Sequence, residues 1–159
     1  MSEISSSAKT KLMEKINELQ STEVLSIKEP EEISEILNLN KNQLKSLSAE
    51  DLLINAIKLS QYAIYVKAKI NKIKAIISWC DANINSIIGR ELQNTNGYGL
   101  SEKSLIIKRN DNVAKELESV KVNLIVSATQ IEDIDRKVEF MSNAIKALAN
   151  EKRYSNNER

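Results

Sequence analysis

Four lysines stand within eight residues in the stretch YVKAKINKIKAIISWC, at Lys67, Lys69, Lys72 and Lys74. The stretch closes on Trp79 and Cys80, the only tryptophan and the only cysteine of the chain. Lysines neutralise phosphates and release counterions, and an aromatic face stacks on an unpaired base at roughly 1–3 kcal/mol. On a helical wheel of about 100° per residue, Tyr65, Lys69, Lys72 and Trp79 form one ridge. Lys67 and Lys74 form a second ridge, and an apolar stripe lies between the two. Arg90, Lys103, Lys108 and Arg109 would extend this basic track toward the end of the helix. A plainer reading competes with this one. Lysines beside a helical seam face solvent or pair with carboxylates of a neighbouring helix, and Glu116, Glu118, Glu132, Asp133 and Asp135 are available for that. Trp79 and Cys80 then belong to the seam.

Other chemistry has little to work with. The chain has no histidine, which removes the commonest general base and the commonest metal ligand. One cysteine makes neither an internal disulfide nor a cysteine-rich zinc site. Glu31–Glu32 and Asp133/Asp135 read as solvated charges on helices. NTNGYG lacks the Lys-Ser/Thr and the preceding strand that a phosphate-cradling loop needs. The expectation is a protein that is not an enzyme, with no cofactor, no metal and no evident small-molecule substrate.

The 159 residues include three glycines, one proline and six aromatics, so strands joined by tight turns are disfavoured and Ile and Leu carry the burial. The formal charge of +1 hides a gradient. Residues 61–110 hold eight basic and three acidic groups, whereas residues 1–60 hold seven and ten. MSEISSSAKTKLMEK is not a signal peptide, and no apolar run reaches the ~20 residues that span a bilayer. A cytoplasmic chain without membrane contact is expected.

The elements that must position these residues are helices. Residues 1–47 read as a leader with one or two short helices, the second entered through Glu29-Pro30-Glu31-Glu32. Residues 48–153 read as a long helical hairpin. Ser48-Ala49-Glu50-Asp51 opens a helix over about 49–92, whose apolar positions Leu52, Ala56, Leu59, Tyr62, Val66, Ile70, Ile73, Ile77, Cys80, Ile84 and Ile87 recur every three or four residues. A turn follows at 93–101, where Tyr98 packs across the tip or contacts a ligand. A second helix covers about 102–152. Its seam is Val113, Leu117, Val120, Leu124, Ile131, Ile134, Val138, Met141, Ile145 and Leu148, with Ser127 the one polar member. Residues 154–159 form a polar tail. The fold class is all-α, a long antiparallel coiled-coil-like hairpin. Such a hairpin is thin, and Leu124, Ile125, Val126 and Ala128 make one turn apolar beyond a seam's needs. Either the leader packs onto it or copies assemble; a homo-oligomer is the preferred expectation.

The segment LLINAIKLSQYAIYVKAKINKIKAII, the Gly/Tyr-containing break and VAKELESVKVNLIVSATQIEDIDRKVEFMSNAIKALANEKR together resemble the UvsY recombination mediators of T-even-like phages, over about residues 50–153. The closing VEFMSNAIKALANEKR resembles that family's final apolar helix with its basic end. INSIIGREL supplies Gly89 and Arg90 where the family carries a basic, Gly-containing stretch, and Trp79 comes earlier than the family's aromatics. The resemblance implies a ring-like homo-oligomer that binds single-stranded DNA, displaces a single-strand-binding protein and loads a recombinase. Competing readings are a scaffolding coiled-coil protein, such as a phage virion or assembly component, and a helical adaptor that captures a partner helix through Leu124–Ala128.

Overall fold

The computed structural model describes residues 2–19 and 26–157. It is 87% helical, with no strand among the described residues, and its two long helices pack against each other as a hairpin. Among the described residues six helices follow in order: α1 (Ser2–Leu19), α2 (Glu31–Leu37), α3 (Lys41–Ser46), α4 (Ala49–Glu91), α5 (Leu100–Asn110) and α6 (Asn112–Asn157).

Local chemistry sets the boundaries. Pro30 is extended, and its carbonyl accepts from Ile33 and Ser34 at 3.0 and 3.1 Å, so α2 starts with Glu31 and Glu32 in its first turn. The Asn40 side chain accepts from the backbone of Asn42 and Gln43, while Gln43 Oε1 accepts from Asn40 N–H. This reciprocal cap starts α3 within an asparagine-rich stretch. Ser48 Oγ accepts from Asp51 N–H at 3.0 Å and donates to the Asp51 carboxylate at 2.6 Å, which opens the 43-residue α4. In the turn after α4, a Cβ on Gly97 would come within 3.0 Å of Lys103 Cγ, a close approach that favours glycine there. Glu102 Oε2 accepts from Tyr98 N–H at 2.8 Å and fixes the entry to α5.

The second half of the hairpin departs from the expected single helix over about 102–152. Asp111 is extended (φ −82°, ψ 120°) and divides it into α5 and α6. Its Oδ1 accepts from Ala114 N–H at 2.9 Å, so it caps α6. α6 continues to Asn157, into the residues expected as a polar tail, and residues 158–159 lie outside the described residues.

The chain divides into two compact units. The first comprises Met1–Ser26 and Lys72–Ala128. In it α1 lies on the hairpin: Ile16 is fully buried, and Lys9 pairs with Asp111 at 3.6 Å. Ala8, Lys9 and Leu12 line a small groove with Asn83, Ile87 and Arg90 of α4 and Val113 of α6. The core here takes Ile73, Cys80, Ile84, Ile87, Ile107, Val113, Ala114, Leu117, Val120, Leu124 and Ala128.

The second unit comprises Ile27–Asn71 and Thr129–Arg159. Ile33, Ile36 and Leu37 of α2 are buried, and Glu32 pairs with Lys58 of α4. Small residues let α4 and α6 approach. Buried Ser142 donates to the Ala56 carbonyl at 3.4 Å and lies 3.3 Å from Ser60 Oγ. The Lys152 ammonium donates to the carbonyls of Lys45 (2.6 Å) and Leu47, so it caps the end of α3 with a side chain from the end of α6.

Leader helices therefore lie on the hairpin within each unit, one of the two ways open to a thin hairpin for covering its apolar edges.

Candidate polyanion surface and outer helix faces

Each basic residue singled out from sequence has a defined place. In the second unit, Lys67 donates to Glu139 Oε1 across α4 and α6. That hydrogen bond, reinforced by the nearby Asp135 carboxylate, raises the Lys67 pKa. Burial raises the Asp135 carboxyl in turn, opposed by Lys67 and aided by Glu139. Lys69 is half-buried. The Tyr65 ring is exposed on its outer side and stacks on Tyr62 with centroids 5.8 Å apart. Tyr62 is buried, and its hydroxyl has no hydrogen-bond partner among the described residues. Burial first, then the Glu29 charge, pushes its pKa up to about 12.

In the first unit, Lys72 and Lys74 are exposed, and Lys72 makes no ion pair among the described residues. Trp79 is half-buried, and its carbonyl accepts from Asn83 Nδ2 at 2.8 Å. Asn83, one helical turn beyond Trp79, lines a groove with Ala8, Lys9 and Leu12 of α1. Cys80 is buried, with its thiol pKa raised by desolvation and then by Asp81. Asp81 pairs with Lys121 at 2.6 Å. Arg90 is exposed, with Nε 3.4 Å from the Ser86 carbonyl. Lys103 is half-buried against Gly97. Lys108 pairs with Glu118 at 2.8 Å, and Arg109 is exposed with no ion pair among the described residues. Tyr98 projects fully into solvent at the turn.

The basic track is thus broken into pieces of different kinds. Lys67 and Lys108 spend their charge on glutamates, whereas Lys72, Arg90 and Arg109 present theirs to solvent. Glu118 was among the acidic partners visible in sequence. Glu139 and Glu32 were not, because pairing them with Lys67 and Lys58 requires the register between helices.

The seam of α6 is placed as follows. Val113, Leu117, Val120, Leu124, Ile131, Val138 and Ile145 are buried, whereas Ile134, Met141 and Leu148 are half-buried at its margin. Ala128, Ser142 and Ala149 take the inward positions beside them.

A different surface emerges on the outside. Ile54, Ile57 and Ile64 of α4 are 43%, 58% and 70% exposed, on the side of the helix away from Leu52, Ala56, Leu59 and Val66. Val122, Ile125 and Val126 of α6 are 54%, 43% and 53% exposed. The excess apolar turn at Leu124–Ala128 therefore divides, with Leu124 and Ala128 inward and Ile125 and Val126 outward. The isoleucine stripe went unread in the sequence, although its 3-4-3 spacing through Ile54, Ile57, Gln61 and Ile64 was a readable signal.

Among the described residues no cluster of three His, Cys, Asp or Glu side chains is placed to hold a metal ion, and no helix is long and apolar enough to cross a membrane. No protein family, curated protein or solved structure matches the chain.

Proposed function

We propose that this chain is a non-enzymatic helical assembly protein that joins to further copies of itself through the outer faces of its long helices. One observation carries the reading: three isoleucines stand in water on α4, opposite its buried stripe. Full burial of an isoleucine side chain is worth roughly 1.5–3 kcal/mol, so a stripe of three offers a substantial drive to association. The ion pairs of Lys58 and Lys67 support the same reading, because they commit lysines of α4 to the protein's own carboxylates. Light scattering and sedimentation test it. An oligomer at micromolar concentration is expected, and a monodisperse monomer overturns it.

A second reading is a single-stranded DNA-binding recombination mediator that helps load a recombinase. It is supported by the exposure of Lys72, Arg90 and Arg109 without ion pairs among the described residues, and by the outward face of Tyr65. Titration of oligo-dT at two salt concentrations, followed by Trp79 fluorescence, tests it. Salt-sensitive binding supports the mediator, and no binding at about 50 mM salt overturns it.

A further inference from the structure

We infer that Asn96 is a site of spontaneous modification, where the Gly97 backbone nitrogen displaces the side-chain amide and leaves an aspartyl or isoaspartyl residue in the hairpin turn. The inference is independent of the assembly reading.

The sequence supplies the pair. Asn96-Gly97 is the one Asn-Gly step in the chain. Glycine has no Cβ to crowd its own nitrogen, and its free backbone can bring that nitrogen onto the preceding side chain. Asn94 stands two residues earlier but is followed by Thr95, whose branched Cβ hinders the same approach.

The structure leaves the pair open to reaction. After Asn110, the Asp111 N–H donates to the Ile107 carbonyl at 2.9 Å, and after Asn38 the Leu39 N–H donates to Ile36 at 3.2 Å. Such a nitrogen is held in place and cannot attack. Asn96 and Gly97 instead lie between α4 and α5, and both are exposed. Neither makes a hydrogen bond among the described residues. The anchors stand to either side: Thr95 Oγ1 donates to the Glu91 carbonyl at 2.8 Å, and Tyr98 N–H donates to Glu102 Oε2 at 2.8 Å. The Gly97 N–H therefore has no such bond to surrender before it attacks.

The step balances with water as the only co-reactant. The Gly97 nitrogen gives up its proton to solvent and bonds to Asn96 Cγ. The Cγ–Nδ2 bond breaks, and ammonia leaves with a proton from solvent. Water then opens the cyclic imide at either carbonyl, giving aspartate or an isoaspartate whose main chain runs through the β-carbon. Either product adds a negative charge, which cancels the chain's formal +1. The isoaspartyl form also adds a methylene to the main chain between the Thr95 and Tyr98 anchors.

The test incubates the full chain at mildly alkaline pH and maps its tryptic peptides by mass spectrometry. Cleavage after Arg90 and Lys103 releases residues 91–103, which hold both Asn94 and Asn96. Conversion of Asn96 should outpace that of Asn94 at least about tenfold. An acidic variant should accumulate in parallel on isoelectric focusing, and Asn96→Gln should abolish it with unchanged helicity by circular dichroism. Equal rates at the two asparagines would overturn the inference. So would an acidic variant that persists in Asn96→Gln, or an Asn96 left intact when the guanidine-unfolded chain converts, because the turn would then protect it.

Discussion

Lys67 of α4 and Glu139 of α6 are joined by a hydrogen-bonded ion pair, and Asp135 lies one turn before Glu139 within the field of the same ammonium. Both partners of the pair are about half exposed, so water and salt screen it. Glu139→Gln should therefore barely move the thermal midpoint at low salt, and the difference should vanish at high salt. A large loss would mean that the pair holds the helices together.

Burial is the first cause of the shift at Asp135. Its folded carboxyl pKa is raised, so the folded state holds the proton more tightly than the unfolded chain does. Its contribution is fully present below the unfolded carboxyl pKa and is lost as pH rises through the raised folded value. Asp135→Asn should then stabilise the protein at neutral pH and flatten the pH dependence of stability across the carboxylate range. Thermal melts from acid to neutral pH check this, and a less stable variant at pH 7 would refute it.

Tyr62 gives the alkaline counterpart. Its pKa, pushed up to about 12, lies above that of an unfolded tyrosine, so its stabilising share is present below pH about 10 and is lost as pH rises through about 12. Ultraviolet titration should show a tyrosine step at pH about 12, and Tyr62→Phe should delete it. Because the hydroxyl has no partner among the described residues, this variant should be as stable as wild type or better. A loss above about 1 kcal/mol would show that the hydroxyl is bonded after all.

Asp111 caps α6 and receives Lys9 from α1. Asp111→Ala should cost about 0.5–2 kcal/mol in urea denaturation, mostly from the cap. Asp111→Asn should recover most of that cost, since an asparagine oxygen accepts the same N–H. Equal losses in both variants would assign the effect to the ion pair with Lys9.

Core and outer positions should separate cleanly. Leu59→Ala, at a fully buried site, should cost about 2–5 kcal/mol, whereas Ile64→Ala should leave the stability of the fold within about 0.5 kcal/mol at concentrations too low for association. Comparable losses at both positions would mean that Ile64 is packed.

What the sequence disclosed follows from how local each signal is. The stripe from Leu52 to Ile87 is a repeat within one helix, and Ser48 with Asp51 is a cap within four residues, so both were readable. The Asn40–Gln43 cap was equally local but was hidden in an asparagine-rich stretch that resembles a terminator. The break at Asp111 lacks glycine and proline, and apolar residues continue on both sides at Ile107 and Val113, so periodicity ran straight across it. Partnerships such as Lys67 with Glu139, or Lys152 with the carbonyls of Lys45 and Leu47, depend on which turn of one helix meets which turn of another. No single-helix pattern contains that information. Trp79 illustrates the same limit, because its wheel position was readable but its half-buried state was not.

The sole tryptophan gives the molecule a built-in gauge. Trp79 belongs to the first unit, and the stacked Tyr62–Tyr65 pair belongs to the second. Indole emission during urea unfolding therefore reports the first unit, while the tyrosine signal that changes as buried Tyr62 meets water follows the second, Tyr98 of the first unit being exposed already. Two midpoints would reveal that a pair of helices, each continuous in backbone, nevertheless melts in separate cooperative blocks.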